Sequence, residues 1–207
     1  MVKSGAVFAF ILLAGGIGLI LPGNLFLWVI GMIAVVLGVF VVFFFRDPGR
    51  RIEVNPDLLL SPGDGRIMDI SSEDVEGCGK SKVVKIFLSI FDVHLQRAPM
   101  DGVIEKIETR PGLFKPAYAP DAADLNARNT IVIKNDRLKI KVIQITGLIA
   151  RRIECWVKEN QSVAQGQKIG FIRFGSQVDI VVPENTEIVV KKGESVKAGL
   201  TIIGRIK

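Results

Sequence analysis

The chain has 207 residues, 49% of them hydrophobic, and a formal net charge of +6. This length allows one domain of ordinary size together with an additional segment. A basic chain can bind nucleic acid or an anionic membrane surface. The sequence shows neither a recognition-helix pattern nor a set of stacking aromatic residues, and it carries apolar runs of membrane length. We therefore expect a membrane, and no nucleic acid, among its partners.

The first 46 residues predict a membrane hairpin of two apolar helices. Two uncharged apolar runs, residues 6–21 and 25–45, flank the turn sequence PGN. The second run is long enough to cross a bilayer, whereas the first is close to the lower limit of about 17 residues. A cleaved signal peptide and a re-entrant hairpin are the alternatives. The signal peptide is disfavoured because no small-residue cleavage pattern precedes the second run.

The cations beside the hairpin predict which side of the membrane the remaining chain occupies. Lys3 precedes the hairpin, Arg46, Arg50 and Arg51 follow it, and the connecting turn carries no charge. Since cytoplasmic flanks are enriched in lysine and arginine, both ends should face the cytoplasm. We therefore expect residues 47–207 to form a cytoplasmic domain at the cell membrane.

Short runs of β-forming residues follow in chain order, without a long helical period. The pattern Pro-x-Asp-Gly-x-Ile-x-x-Ile begins at Pro62 and again at Pro99, and the pattern Val-x-x-Gly-x-x-Ile begins at Val163 and again at Val196. Such strand–turn units resemble those of lipoyl and biotinyl carrier domains. The expected fold is mainly β, a duplicated lipoyl-like or biotinyl-like β-sandwich of the hybrid-barrel type. Residues 110–127, rich in proline, interrupt it as a substrate-site loop or a simple insertion.

Three polar residues are candidates for catalysis. Ser176 follows Gly175 before a β-forming run, His94 is the only histidine, and Asp64 lies in the turn sequence SPGDG. A serine, a histidine and an aspartate can together activate a hydroxyl nucleophile. An ordinary serine hydrolase would place its serine in a Gly-x-Ser-x-Gly elbow, but Ser176 leads directly into a strand. The competing interpretations are a strand kink, a structural histidine and a turn aspartate.

Four motifs, in this order, resemble the pyruvoyl-dependent phosphatidylserine decarboxylases, in particular the short form that includes archaetidylserine decarboxylases. They are LLLSPGDGRI, IFLSIFDVHLQRAPMDGVI, NARN at residues 126–129 and RFGSQVDIVVP. The resemblance covers essentially the whole chain. It implies a phospholipid decarboxylase that converts phosphatidylserine or archaetidylserine to the ethanolamine lipid and CO₂. The alternative is a non-enzymatic, membrane-anchored carrier or adaptor of lipoyl type, which leaves these motifs unexplained.

The resemblance also implies self-cleavage between Gly175 and Ser176. Attack of the Ser176 hydroxyl on the Gly175 carbonyl would yield a β-chain of residues 1–175 and an associated α-chain of residues 176–207. Ser176 would become the pyruvoyl cofactor, which forms a Schiff base with the anionic serine phospholipid and accepts electrons as CO₂ leaves. We expect no metal, because the two cysteines of the chain show no metal-ligand spacing.

One position departs from the family pattern. Many relatives carry His-x-x-His-x-Pro, whereas here His94 is followed by Arg97 in HLQRAP. Either His94 serves both self-cleavage and decarboxylation, with Asp64 fixing its tautomer, or Asp64 is itself the base for cleavage. Arg97 is a candidate for binding the phosphate or carboxylate of the substrate, and a surface ion pair is the competing interpretation.

Overall fold

The computed structural model describes residues 1–115, 125–147, 152–173 and 176–206. The chain divides into two compact units, Met1–Gly49 and Arg50–Lys207. Gly175, on the predicted cleavage bond, lies outside the described residues, as does the centre of the predicted loop at residues 110–127.

The N-terminal unit is a pair of apolar α-helices. Helix α1 spans Lys3–Ile20 and helix α2 spans Leu25–Phe44, close to the two predicted runs. Asn24 caps α2 because its side-chain oxygen accepts hydrogen bonds from two amides of the first turn. A Cβ on Gly16 or on Gly31 would meet the carbonyl oxygen of the other, at 2.8 and 2.6 Å, so glycine permits the close approach of the helices. Both helices have the length and the apolar composition that a membrane span requires.

The described part of the second unit is built mainly of β-strands, which confirms the prediction of a mainly β fold. In chain order they are β1 Leu58–Leu60, β2 Gly65–Val75, β3 Gly79–Leu88, β4 Leu95–Arg97, β5 Gly102–Arg110, β6 Arg128–Lys134, β7 Lys139–Ile145, β8 Ile153–Cys155, β9 Ser162–Val163, β10 Lys168–Ile172, β11 Ser176–Pro183, β12 Glu187–Ile188, β13 Ser195–Val196 and β14 Ile202–Arg205. A large antiparallel sheet has the order β13-β2-β3-β11-β7-β6-β5-β9. Two small sheets have the orders β1-β14-β12 and β4-β10-β8.

The large sheet repeats the same arrangement in its two halves. Gly65, in the first copy of the Pro-x-Asp-Gly pattern, pairs with Val196, and Gly102, in the second copy, pairs with Val163. The pairs β2–β3 and β5–β6 both shift register just after the first isoleucine of the pattern. Gly65 and Gly102 have φ of 149° and 158°, and a Cβ on either would collide with a carbonyl oxygen of the facing strand. The recurring sequence patterns therefore mark a repeated backbone geometry.

Strand β11 separates the apolar core from a polar cavity. Val178 and Ile180 belong to the core, which also includes apolar residues of both small sheets. Asp179 and Val181 line a cavity on the other face of the strand. Because successive side chains of a strand point to opposite faces, Ser176 lies on the core side.

Candidate active site

Ser176 is a buried hydroxyl at the start of β11. It pairs with Leu88, the last residue of β3, and is 0% exposed. Its Oγ has no hydrogen-bond partner among the described residues. Leaving a buried hydroxyl unpaired costs about 1–3 kcal/mol, so such a group calls for an explanation. A hydroxyl held for reaction rather than for structural bonding fits this environment.

His94 lies directly before β4 and is also fully buried. Its ring centroid is 6.5 Å from that of Phe171. Its carbonyl oxygen accepts hydrogen bonds from Ile172 N at 3.1 Å and from Gln96 Nε2 at 2.7 Å. The Nδ1 atom lies 3.0 Å from the carbonyl oxygen of Asp92. Because a carbonyl oxygen can only accept a hydrogen bond, Nδ1 carries the ring proton in this contact.

Two short stretches of chain bring His94 and Ser176 into one region. Leu88, which pairs with Ser176, is followed after one turn by His94. Ile172, which is hydrogen-bonded to the His94 carbonyl, precedes Ser176 by four positions along the chain. Four residues span at most about 14 Å when fully extended, so this connection sets an upper limit on the separation of the two backbones. The structure therefore places the two predicted residues on neighbouring segments, and a contact between their side chains stays a prediction.

Asp64 is held in a buried ion pair with Arg50. Arg50 Nη1 and Nη2 donate to Asp64 Oδ1 and Oδ2, both at 2.7 Å, and the side chains are 7% and 10% exposed respectively. Ala198 N also donates to Oδ1, at 2.9 Å, and Ala198 O accepts a second bond from Arg50 Nη1. The predicted contact in which Asp64 fixes the tautomer of His94 is not found among the described residues. The hydrogen bond at Nδ1 of His94 goes to the Asp92 carbonyl instead.

Arg97 ends β4 with its side chain buried. It is 7% exposed, and its Nη1 donates to the carbonyl oxygen of Gly166 at 2.8 Å. A Cβ on Gly199 would meet Arg97 Cδ at 2.9 Å. Gly166 and Gly199 occupy the same position in the two copies of the Val-x-x-Gly pattern, so the arginine packs between equivalent turns. The alternative of a surface position for Arg97 is wrong, and its role in substrate binding stays a prediction.

A chain of buried amide side chains, which sequence reasoning missed, continues from His94 into the large sheet. Gln144 Nε2 donates to Gln96 Oε1 at 2.8 Å, and Asn129 Nδ2 donates to Gln144 Oε1 at 2.9 Å. Gln96 in turn binds the His94 carbonyl. Asn129 comes from the NARN motif, whose other asparagine, Asn126, binds backbone groups of two neighbouring segments. The available signal was a glutamine at a core position of an otherwise alternating strand, in the sequence KVIQI.

A second missed residue is Asp179, on the opposite face of β11. It lines a cavity of about 780 Å³, together with Lys85 and Arg128 among others. Burial raises the pKa of Asp179 to about 7, against the hydrogen bond that Gln177 Nε2 donates to it at 2.7 Å. Among the described residues, no three His, Cys, Asp or Glu side chains are grouped as a metal site would require.

Known proteins resemble this chain over most of its length. The family model described as phosphatidylserine decarboxylase matches residues 37–204. A phosphatidylserine decarboxylase proenzyme of Carboxydothermus hydrogenoformans is 44% identical over 199 residues, which cover 95% of this chain and 93% of that protein. The corresponding proenzyme of Desulfotalea psychrophila is 41% identical, over 81% of this chain and 79% of its own length. A putative archaetidylserine decarboxylase proenzyme of Methanosarcina barkeri is 40% identical, over 86% and 83%.

Proposed function

Because the chain belongs to the phosphatidylserine decarboxylase family, we propose that it removes CO₂ from the serine headgroup of phosphatidylserine or archaetidylserine and leaves the ethanolamine lipid. The observation that carries this proposal is the buried Ser176 hydroxyl, which has no hydrogen-bond partner among the described residues. It stands where the motif RFGSQVDIVVP predicts the cleaved bond. Relatives of both names match at similar identity, which supports the serine headgroup as the shared feature of the substrate. The carrier alternative finds no support in the comparisons.

The first proposed reaction is self-cleavage by Ser176. Its Oγ attacks the carbonyl carbon of Gly175, and the acyl group moves from nitrogen to oxygen. Elimination from the resulting ester releases the Gly175 carboxylate and leaves dehydroalanine at position 176. Addition of water and loss of ammonia convert that residue into a pyruvoyl group. The relatives are named proenzymes, which supports a precursor that must mature.

The strand pairing supports an α-chain that stays bound after cleavage. In the proposed α-chain of residues 176–207, β11 pairs with β3 and β7 of the β-chain. Strand β13 pairs with β2, and β14 pairs with β1. The two chains would therefore share both the large sheet and one small sheet. We further propose that each copy of the repeat is a lipoyl-like unit, which the matching pairing of Gly65 and Gly102 supports.

His94 is the proposed proton-transfer residue for both reactions. The pyruvoyl group supplies an electrophilic carbonyl that takes up the electrons released with CO₂. With its proton on Nδ1, the neutral His94 ring has Nε2 as its basic nitrogen. This nitrogen accepts a proton during self-cleavage and, once protonated, returns one after CO₂ has left.

Asp64 and Arg97 are assigned supporting roles. The Asp64 carboxylate already accepts three hydrogen bonds from Arg50 and Ala198, so we propose that it anchors the SPGDG turn rather than acting as the base. A Cβ on Gly63 of this turn would lie 3.7 Å from the side chains of Leu88 and Val178, which places the turn beside the strands at Ser176. Arg97 is proposed to bind the phosphate or carboxylate of the substrate.

The hairpin is proposed to hold the enzyme at its lipid substrate. The length and apolar composition of α1 and α2 support a location in the cell membrane. The cations at the flanks, Lys3 and Arg46, support a catalytic domain on the cytoplasmic side.

Mass spectrometry of the purified full chain in detergent tests the proposal. The expected products are fragments of residues 1–175 and 176–207, the smaller one with a pyruvoyl N-terminus that borohydride reduces. Release of CO₂ from phosphatidylserine in mixed micelles should accompany the cleaved form. A small fragment with a free serine amine would indicate ordinary proteolysis, and would overturn the proposed maturation.

A further inference from the structure

We infer that Asp92 is a positioning residue that sets the tautomer of His94. The turn between β3 and β4 contains both residues. The consequence for catalysis rests on the proposed role of His94. The tautomer itself is a property of the folded chain, and it can be measured whether or not the protein is a decarboxylase.

The Asp92 side chain closes the turn on Ser89. Its Oδ2 accepts hydrogen bonds from Ser89 N at 2.8 Å and from Ser89 Oγ at 2.7 Å, and Asp92 N donates to Ser89 O at 2.9 Å. Bonds of this local kind hold aspartate and asparagine in defined turn conformations. These three bonds close the segment from Ser89 to Asp92.

The closed turn directs the Asp92 carbonyl at the histidine ring. Its oxygen lies 3.0 Å from His94 Nδ1, and a carbonyl oxygen can only accept a hydrogen bond. In a neutral imidazole, the hydrogen bond at one nitrogen decides which of the two carries the proton. The contact therefore selects the Nδ1–H tautomer and leaves Nε2 as the basic nitrogen of the ring.

The backbone of His94 is anchored independently of Asp92. Its carbonyl oxygen accepts hydrogen bonds from Ile172 N and Gln96 Nε2, which lie outside the turn. Loss of the Asp92 side chain should thus act on the ring and its tautomer, while the chain at position 94 stays in place.

The turn also relates the ring to the proposed nucleophile. Ser89 directly follows Leu88, the residue paired with Ser176 on the neighbouring strand. The hydrogen bonds between Ser89 and Asp92 thus link the end of β3, which pairs with Ser176, to the ring of His94. A proton acceptor and the hydroxyl that it serves are held through the same short segment.

The single histidine of the chain makes the tautomer directly observable. We would label the full-length protein with ¹⁵N-histidine in detergent micelles, with Ser176→Ala present so that the chain stays uncut. At a pH where the ring is neutral, Nδ1 should show the shift of a protonated nitrogen and Nε2 that of an unprotonated one. The reverse assignment would overturn the inference, and this measurement needs no change at Asp92.

Variants then test whether Asp92 is the cause. Asp92→Ala should give a mixture of tautomers or the Nε2–H form, whereas Asp92→Asn should keep the Nδ1–H form because its side-chain oxygen can accept the same two bonds from Ser89. Asp136→Ala, at an exposed aspartate, is the matched control and should leave the spectrum unchanged. An unchanged tautomer in folded Asp92→Ala would overturn the role of Asp92. Should Asp92→Ala fail to fold, loss of the Nδ1–H form in Asp92→Asn would also contradict it.

The same variants with Ser176 restored connect the tautomer to the reaction. Self-cleavage should slow at least tenfold in Asp92→Ala, and stay within about threefold of the unmodified chain in Asp92→Asn and Asp136→Ala. A changed tautomer with an unchanged cleavage rate would remove Asp92 from the reaction. If the unmodified chain neither cleaves nor releases CO₂, the proposed function fails, while the spectra still decide the tautomer.

Discussion

The two copies of the Pro-x-Asp-Gly turn have the same backbone arrangement but different side-chain surroundings. Asp64, in the first copy, is buried and binds Arg50 and the Ala198 amide. Asp101, in the second copy, is exposed, and among the described residues it is engaged through its backbone carbonyl, by Asn135. The recurrence of this turn in both copies therefore reflects the backbone conformation that the turn needs. A role in the candidate site appears only where other segments supply partners for the side chain.

Ser176, His94, Asp64 and Asp179 each have a counterpart at the equivalent position of the other copy. Val178 pairs with Ile86 in one half of the large sheet, and Ile140 pairs with Ile133 in the equivalent way in the other half. Likewise, His94 directly precedes β4, and Asp57 directly precedes β1. The counterparts offer controls, because they occupy equivalent positions of the repeated backbone and differ in chemistry. The corresponding pairs are Ser176 and Leu138, His94 and Asp57, Asp64 and Asp101, and Asp179 and Lys141.

The largest effect is expected at Ser176. Ser176→Ala removes the hydroxyl, so the precursor should stay at 22.6 kDa and show no decarboxylase activity. Ser176→Cys keeps a nucleophile and should cleave slowly. Leu138→Ala should lower stability but still permit cleavage, as a denaturing gel would show. Normal CO₂ release by the alanine variant at position 176 would end the proposed mechanism.

His94 should rank second. General acid–base catalysis is typically worth 10²–10⁴-fold, so His94→Ala should slow self-cleavage by that factor. Asp57→Ala removes a surface ion pair with Arg137 and should leave the cleavage rate unchanged. The second role of His94 is tested by letting its variant mature to completion and assaying activity per pyruvoyl group. Full activity on that basis would restrict the histidine to self-cleavage.

The aspartates of the two turns should differ in stability as well as in rate. Asp64→Asn leaves the buried Arg50 without its carboxylate, and breaking a buried ion pair in this way costs about 3–5 kcal/mol. Asp101→Asn, at an exposed site, should change the free energy of unfolding by no more than about 0.5 kcal/mol. Denaturant unfolding of both variants, made together with Ser176→Ala, gives the comparison. Equal changes in the free energy of unfolding for the two variants would mean that the ion pair between Arg50 and Asp64 does not stabilise the fold.

A smaller, pH-dependent difference is expected at Asp179. Its pKa is raised to about 7 in the folded protein, so the folded state holds a proton that the unfolded state loses above about pH 4. Stability should therefore fall as pH rises from about 4 to 7, with a slope of up to about 1.4 kcal/mol per pH unit from this group. Asp179→Asn should remove that slope and be the more stable protein above pH 7. Lys141→Gln should keep this pH dependence of stability. If the pH dependence disappeared in that control, the titrating group would not be Asp179.

Sequence reasoning succeeded where a local pattern reports local geometry. The apolar runs placed both helices within a few residues of Lys3–Ile20 and Leu25–Phe44, and the recurring patterns marked the repeated halves of the sheet. The bulges after Ile67 and Ile104 could not be predicted in this way, because they depend on the facing strands.

Contacts between distant segments were the part that the sequence could not provide. Arg50 was assigned to the membrane flank from its charge, yet it reaches the SPGDG turn and binds Asp64. That pairing depends on the course of the chain between Arg50 and Asp64, which no local pattern encodes. The tautomer of His94 was predicted from side chains alone, whereas the structure supplies a backbone carbonyl, at Asp92.

The distribution of strands between the two proposed chains affects whether the protein can refold after cleavage. Strands β11, β13 and β14 are threaded among strands of the β-chain, and β11 pairs on both sides. The uncut precursor can form these pairings as a single chain, whereas separated fragments would have to find each other in solution. Unfolding should thus be reversible before maturation and effectively one-way after it. Cleavage would therefore change the stability of the fold from thermodynamic to kinetic. Each polypeptide could then reach the folded state only once, before it is cut.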